Sequence, residues 1–505
     1  MTVRELLQAL MRELPAQRRP VIPADVALDV PCTGVVYDSR KAGRGTVFVA
    51  LPGQKADGAS FAAQALTAGA VAVVAERPAP VPDESAPWIV VGNARLALAH
   101  LAAEFFGHPS RQMQVIGITG TNGKTTTSYL TQAIFEAAGT RCGLMGTVTY
   151  RIGDREIAAT RTTPEAPEVQ GFMRQMVDAG CGACVMEVSS HALAMHRVDG
   201  TRFAAAVFTN LTRDHLDFHQ DMESYFAAKR RLFEMLPVDA PAVINVDDPR
   251  GLSLVEVGGR PVTYAINRDA DVTPGPLTFG LDGLAFDVRM PEGVARVKSK
   301  LVGKPNVYNI LAASATAAAL RISVKAIEQG LQSLSGVPGR FEVVSAGADD
   351  ITVIVDYAHT DDALRNLLET ARPLASRRLI TVFGAGGDRD RTKRPLMGMV
   401  AARMSDVVVI TSDNPRSEDP ARIIEEVKLG AEPEARQGKA EVTTIVDRRE
   451  AIVHAVDHAS SGDIVLIAGK GHETYQEIGG RTMAFDDVAV AREALGARRE
   501  KSRVG

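Results

Sequence analysis

The chain has 505 residues, 45% of them hydrophobic and 23% charged, with a formal net charge of −4. That length predicts about three domains at ~150 residues each, in a globular protein with room for several cores. The weak acidity and the absence of a long basic run exclude a nucleic-acid footprint, and no uncharged apolar stretch reads as a membrane span.

The N-terminal MTVRELLQALMREL has helical spacing and acidic residues, and lacks the long apolar core of a signal peptide. Residues 1 to about 110 read as a small α/β unit. Val35-Val36-Tyr37 leads into Asp38-Ser39-Arg40, and the strand 46–51 leads into a polar loop, Pro52 to Gly58, that contains Gln54, Lys55 and Ala56. Such a loop at a strand end is either a plain turn or a ligand contact. The stretch from Gly58 to Ala75 divides into an Ala-rich helix and a Val-rich strand, and Phe106 to Ser110 is the linker onward.

The second unit, residues 111 to 338, opens on QVIGITGTNGKTTT, Gln114 to Thr127. An apolar strand run is followed by a glycine turn, Lys124 and Thr125, and then a helical pattern in which Leu130, Ala133, Ile134 and Ala137 share a face and Gly139 is the stop. This is the layout of a phosphate-binding loop. Gly120, Thr121, Asn122 and Gly123 offer backbone N–H groups, and the helix N-terminus adds partial positive charge. Lys124 reaches terminal phosphates, Thr125 can hold magnesium, and Thr126 continues the loop. Ile118 stands where the strict pattern has its first glycine, so the loop is a variant.

Downstream, the strand 183–188 carries Glu187 near its C-terminal end and is followed by Ser189-Ser190-His191; the strand 204–208 leads to Asn210-Leu211-Thr212-Arg213-Asp214-His215. Ligands in open α/β sheets gather beyond strand C-termini, which favours metal and nucleotide chemistry at Glu187 and His215. Tyr225, Lys229 and Phe233 share a helix face; snorkelling is the ordinary account of a lysine there. Gly303 to Asn309 opens an Ala-rich helix, with Asn306 and Asn309 as helix-start residues or amides able to meet a nucleotide.

From Pro338-Gly339-Arg340 the chain changes character, with Gly336 to Gly339 as a hinge. The strands 352–355, 379–383, 406–410 and 463–468 end in Asp356-Tyr357-Ala358-His359, in Gly384 to Asp390, in Asp413-Asn414-Pro415-Arg416 and in Gly469-Lys470-Gly471-His472-Glu473. This is a second α/β sheet with polar, glycine-rich strand ends. The spacing of Gly384 to Gly387 does not fit G-x-G-x-x-G, which argues against a nicotinamide site. Four cysteines suit a reducing cytoplasm. Cys181 and Cys184 form a C-x-x-C pair with no second pair or His pair, so buried structural thiols are expected.

Together these stretches resemble the Mur ligase family, which makes the peptidoglycan stem peptide by ATP-dependent amide formation. The resemblance rests on TGTNGKTT at 119–126, Glu187 with Ser-Ser-His, the run 210–215, Gly339-Arg340 and Asp356 to His359, and it spans nearly the whole chain. It implies an α/β protein of three domains. These are a small UDP-substrate-binding domain (1–110), a central P-loop-type ATPase domain with a mostly parallel sheet (111–338), and a C-terminal Rossmann-like domain that binds the amino acid (339–505). It implies ATP as co-substrate, Mg2+, a cytoplasmic location and a monomer.

Asp413 to Arg416 is similar to the motif by which the diaminopimelate-adding members recognise their amino acid. Arg416 and Arg389 suit its distal carboxylate, and Asp413 and Glu473 its ammonium groups; Asn414, Pro415 and Gly469 complete that expected site. By the same match, Tyr37, Ser39 and Gln54 to Ala56 would contact the UDP-N-acetylmuramoyl dipeptide, with Thr162, Thr163, Ser189, Met195 and Arg197 along its sugar-peptide arm. Arg161 stands where the family often has Asn, Met195 where it often has Gln, and Asp361 where it usually has Pro. Lys124, Glu187, His215 and Lys229 are the expected catalytic residues. Thr125, Glu187 and His215 would ligate magnesium, with Lys229 as a carbamate positioning a second ion, and Asn306, Arg340 and Asp356 would meet the nucleotide. The expected chemistry is attack of the D-Glu γ-carboxylate on ATP, then capture of the acyl phosphate by an amine. Two alternatives stay open: another ligase of this class, such as a lysine-adding enzyme or a folylpolyglutamate synthase, or a non-catalytic ATP-binding module.

Overall fold

Apolar runs alternating with polar strand ends fold here into three successive, mostly parallel sheets. The computed structural model describes residues 1–14, 19–20, 28–53, 57–79, 87–438 and 440–504. The first sheet runs in chain order, β1 (Gly34–Val36), β2 (Thr46–Val49), β3 (Ala72–Ala75) and β4 (Trp88–Val90), all parallel. Val47 and Val49 face the helices Val3–Glu13 and Ala94–Phe105, while Phe48 between them faces the helix Ala62–Thr67. The period of two distributes one Val/Phe run over two cores. Thr2 and Glu5 start the first helix as a capping box. Gln54, Lys55 and Ala56 lie outside the described residues.

The second sheet comprises β5 (Gln114–Thr119), β6 (Cys142–Met145), β7 (Thr149–Ile152), β8 (Arg155–Ala158), β9 (Ala183–Glu187), β10 (Ala205–Phe208), β11 (Pro241–Asn245) and β12 (Arg260–Tyr264). Its order is β12-β11-β10-β5-β9-β6-β7-β8, parallel except for the β6-β7-β8 meander. β5 is thus central. Ile116 and Ile118 pack toward the helices Lys124–Ala137 and Lys304–Ala319, and Val115 packs toward Phe203, Leu232 and Phe233 on the other face. A small antiparallel sheet follows: β13 (Thr273–Pro274), β14 (Thr278–Gly280), β15 (Gly283–Met290) and β16 (Gly293–Ser299). It was not among the predicted elements. β15 buries Leu284, Phe286, Val288 and Met290 and exposes the residues between them, the alternation of a half-buried strand.

The third sheet holds β17 (Glu342–Val343), β18 (Thr352–Asp356), β19 (Leu379–Phe383), β20 (Val407–Ile410), β21 (Glu441–Thr444) and β22 (Ile464–Ala468), in the order β17-β18-β22-β19-β20-β21. All but β17 are parallel, and Asp356, Ala468, Phe383 and Ile410 align in register. The polar strand ends therefore share one edge of the sheet. A hairpin, β23 (Tyr475–Ile478) with β24 (Arg481–Ala484), crosses that edge, and Arg416 bridges to Ile478 on it. All four cysteines are free, and Cys142, Cys181 and Cys184 are buried. Among the described residues no helix is long and apolar enough to cross a membrane.

Candidate active site

The parallel pairing of β5 with β9 sets Ile118 opposite Glu187, so the carboxylate emerges beside the glycine loop that follows β5. Gly120 adopts φ +148°, and a Cβ there would lie 1.8 Å from Thr209 Oγ1; Gly123 caps the following helix at φ +87°, with its Cβ position 2.4 Å from Asn309 Oδ1. Both positions require glycine. Glu187 is fully buried. Its Oε1 accepts the Thr147 N–H at 2.9 Å, and its Oε2 accepts the hydroxyls of Thr147 at 3.0 Å and Thr125 at 3.1 Å. Thr147 was missed in the sequence because it sits on the β6–β7 turn, in no motif.

Lys124 donates from Nζ to the carbonyls of Gly120 at 3.0 Å and Thr121 at 2.8 Å, and burial lowers its pKa. Lys229 donates to the same Gly120 carbonyl at 2.8 Å, with its Nζ 4.4 Å from the Tyr225 ring centre. It is 1% exposed, so the amine does not snorkel to solvent. Burial, assisted by Lys124, pushes its pKa well below the lysine range. His215 follows β10 at φ +55°, half-buried, with Nε2 3.3 Å from Asp214 Oδ2 and its ring edge-on to His191. Burial carries its pKa down to about 3, against the opposing pull of Asp214.

From the third sheet, Arg340 stacks on Tyr357 and donates to Thr125 Oγ1 at 3.2 Å. Asp356 accepts the backbone N–H groups of Phe341 and Ala358, and burial raises its pKa. Asn306 lies within the first turn of the helix Lys304–Ala319; Gly303 caps that helix, and Asn309 sits a turn further in. Neither amide is the cap expected for a helix start. Asn306 donates to the Val302 carbonyl and accepts from Asn309. Asn122 reaches Asp362 at 3.0 Å, a contact across 240 residues of sequence that no local pattern signals.

Two cavities adjoin here. One, of about 270 Å³, is lined by Thr121 to Thr126, Glu187, Ser189, Asn306, Arg340 and Asp356, among others. The other, of about 510 Å³, is lined by Arg389, Asp413, Asn414, Arg416, Gly469 and Glu473, among others. Thr147, Thr162, Asp214, His215, Tyr357 and His359 line both. Behind the second cavity's wall Lys470, fully buried, bridges Asn414 Oδ1 at 3.2 Å and Glu473 Oε2 at 3.0 Å, while Asn414 Nδ2 donates to the same Glu473 oxygen at 2.8 Å. Burial raises the Glu473 pKa, opposed by Lys470 and reinforced by Asp413. Arg416, at φ +53°, donates to the Gly387 carbonyl at 2.6 Å, and Arg389 to that of Asp388 at 3.1 Å.

The signature of the Mur ligase family, catalytic domain, matches residues 31–106, that of the Mur ligase middle domain 118–317, and that of the Mur ligase, glutamate ligase domain 339–471. The UDP-N-acetylmuramoyl-L-alanyl-D-glutamate--2,6-diaminopimelate ligase of Solibacter usitatus (strain Ellin6076) is 49% identical over 482 residues, 94% of this chain and 96% of the relative. The chain belongs to the Mur ligase family. The enzyme of the same description from Syntrophomonas wolfei is 46% identical over 474 residues, 93% of this chain and 96% of its own. A solved structure described as UDP-N-acetylmuramoyl-L-alanyl-D-glutamate--2,6-diaminopimelate ligase superposes with a TM-score of 0.69 at 35% identity, covering 99% of both chains.

The remaining Mur ligase positions lie at the edge of the two cavities or away from them. Thr163 donates to the Glu187 carbonyl at 2.8 Å and accepts the Ser189 N–H at 3.0 Å, and Ser189 caps the helix Ser190–Ala194. Arg197 pairs with Glu165 at 2.8 Å and meets Met195 Sδ at 3.3 Å. Arg161, on the second cavity's wall, also binds Glu165, at 2.6 Å. Tyr37 donates to Glu168 at 3.2 Å and Ser39 to Gln64 at 2.9 Å. Pro415 packs its carbonyl against Gly387. Asp361 opens the helix Asp361–Ala371 behind its Thr360 cap, so the replacement of Pro there is accommodated in the first turn.

Proposed function

We propose that the chain joins meso-diaminopimelate to the D-Glu residue of UDP-N-acetylmuramoyl-L-Ala-D-Glu, converting ATP to ADP and phosphate, in peptidoglycan precursor synthesis in the cytoplasm. The observation that carries the reading is the pair of adjoining cavities. One presents the glycine loop with Lys124 and Thr125, and the other is lined by Arg389, Arg416, Asp413 and Glu473. The three domains are taken as 1–110 for the UDP-substrate, 111–338 for ATP and chemistry, and 339–505 for the amino acid, closing on the ligands about Gly336 to Gly339.

The substrate γ-carboxylate and the ATP γ-phosphate are both anionic, so the first step needs cations and fixed donors. Lys124, the loop N–H groups and Arg340 supply them at the first cavity. The acyl phosphate so formed occupies the shared wall. The amine of diaminopimelate approaches from the second cavity, with its distal carboxylate on Arg416 and Arg389 and its ammonium groups facing Asp413 and Glu473. Displacement of phosphate leaves the amide.

The residues fit Mg2+, a hard ion that keeps waters and substrate phosphates among its ligands and takes few from protein. Glu187 and Thr125 are oxygen donors 3.1 Å apart, and the low pKa of His215 keeps its imidazole lone pair free at neutral pH. Bound there, Mg2+ would neutralise phosphate charge. Burial shifts Lys229 toward the free-amine form, and that is the form that takes up carbon dioxide as a carbamate. The test is product analysis by mass spectrometry with ATP and the UDP-dipeptide, offering meso-diaminopimelate or L-lysine. Amide formation with diaminopimelate alone supports the reading; equal turnover of the two removes the arginine-clamp argument, and no amide at all leaves an ATP-binding module.

A further inference from the structure

The ligation needs a group to take the proton of the attacking nitrogen, and that group must reach the wall common to both cavities. Four of the six shared residues are titratable: Asp214, His215, Tyr357 and His359. Both oxygens of Asp214 already serve His215: Oδ1 accepts its backbone N–H at 2.9 Å and Oδ2 lies 3.3 Å from its Nε2. His215 is assigned to the metal. Burial drives the Tyr357 hydroxyl far up, so it stays protonated. His359 remains.

Its Nδ1 lies 2.8 Å from the Tyr357 carbonyl oxygen. A carbonyl only accepts, so Nδ1 carries the hydrogen and Nε2 the lone pair. Nε2 has no hydrogen-bond partner among the described residues, and the half-buried ring lines both cavities. The ring is steadied by Tyr357 at 4.6 Å. We propose that His359 is the base of the second step, acting at Nε2 on the amine that attacks the acyl phosphate. This inference rests on the ligase reading above.

The amine binds after losing one proton from its ammonium form. As its lone pair forms the C–N bond, Nε2 takes a proton from the nitrogen. The carbonyl re-forms, the C–O bond to phosphate breaks with its electron pair on oxygen, and the imidazolium returns the proton to that oxygen. Hydrogen phosphate leaves, and His359 is neutral again. Burial and Lys393 lower the His359 pKa, while Asp214, the Tyr357 carbonyl and Asp413 raise it, with a net fall below the ordinary histidine value. The free base is therefore the resting form at neutral pH.

The test separates the two steps in the full-length chain. Hydroxylamine is largely unprotonated at neutral pH and traps acyl phosphates without an enzymic base. His359→Asn, which keeps a donor for the Tyr357 carbonyl, and His359→Ala are compared with the unaltered chain. The expected result is hydroxamate formation within about two-fold of the unaltered chain, amide formation lowered by about 10²–10⁴-fold, and an unchanged KM for diaminopimelate. Amide formation at the unaltered rate in either variant overturns the inference, as does loss of both activities in both variants, which marks a structural role. Absence of hydroxamate from the unaltered chain defeats the ligase reading itself, and the inference with it.

Discussion

Replacing Asp413 with asparagine should stabilise the unliganded chain and weaken diaminopimelate binding at once. Asp413 Oδ1 accepts the Asn414 N–H at 2.6 Å, but Oδ2 is buried with no partner among the described residues. It lies over Gly469, where a Cβ would come within 2.5 Å of it. Leaving a buried acceptor unpaired costs about 1–3 kcal/mol, and a neutral amide is cheaper to bury than a carboxylate. Recovering even ~1 kcal/mol raises the melting temperature of a domain this size by about 2–4 °C. The bond that Oδ2 would make to an ammonium is worth about 1.5–3 kcal/mol, so its loss raises the KM for diaminopimelate by about 10–150-fold. The KM for ATP stays as it was. Calorimetric melting of the unliganded chain and steady-state kinetics read the two effects separately. A lower melting temperature with an unchanged diaminopimelate KM would refute the reasoning, because Asp413 would then be a structural group.

Arg416→Lys removes the planar fork, so the KM for diaminopimelate should rise by about tenfold or more while that for ATP holds; a parallel rise in both would count against the clamp. Lys470→Met strips the cation from Glu473 and Asn414, and urea unfolding should show a loss of about 3–5 kcal/mol, the range for breaking a buried pair. Glu418 is held at about 2 by hydrogen bonds from the buried Arg394, against an ordinary 4.5. Its folded-state pKa is depressed, so its stabilisation is complete above pH ~4.5 and lost as the pH falls toward ~2, a drop on the order of 1–2 kcal/mol once solvent screening of this partly exposed carboxylate is allowed for. Glu418→Gln should flatten that part of the stability–pH curve. Lys229→Ala should lose activity and regain part of it with added acetate, which tests the carbamate in product assays; no regain argues for the free amine.

The phosphate loop, Glu187 and the strand ends of the third sheet were legible in the sequence because each is a contiguous motif at a strand terminus. Parallel pairing then brings such termini to one edge whatever the loops between them do. What the sequence hid were contacts between distant segments. Thr147 meets Glu187 across 40 residues, Asn122 meets Asp362 across 240, and Lys470 is set between Asn414 and Glu473. Arg213 meets Asp390 and Thr392 between the second and third sheets in the same way. Spacing alone gave Tyr225, Lys229 and Phe233 a common face, but only packing shows that the amine is sealed beneath the loop. The sheet of β13 to β16 was missed although its strands alternate and Gly280-Leu281-Asp282-Gly283 and Pro291-Glu292-Gly293 are hairpin turns; none of its residues belongs to a candidate site motif.

The central claim is that the substrate carboxylate is activated by phosphoryl transfer where the two cavities meet. It is tested most directly by placing a heavy-oxygen label in the γ-carboxyl of the UDP-dipeptide and analysing the phosphate released with ATP and meso-diaminopimelate. An acyl phosphate requires one labelled oxygen in each phosphate released, in step with amide formed. Unlabelled phosphate beside labelled amide would contradict it.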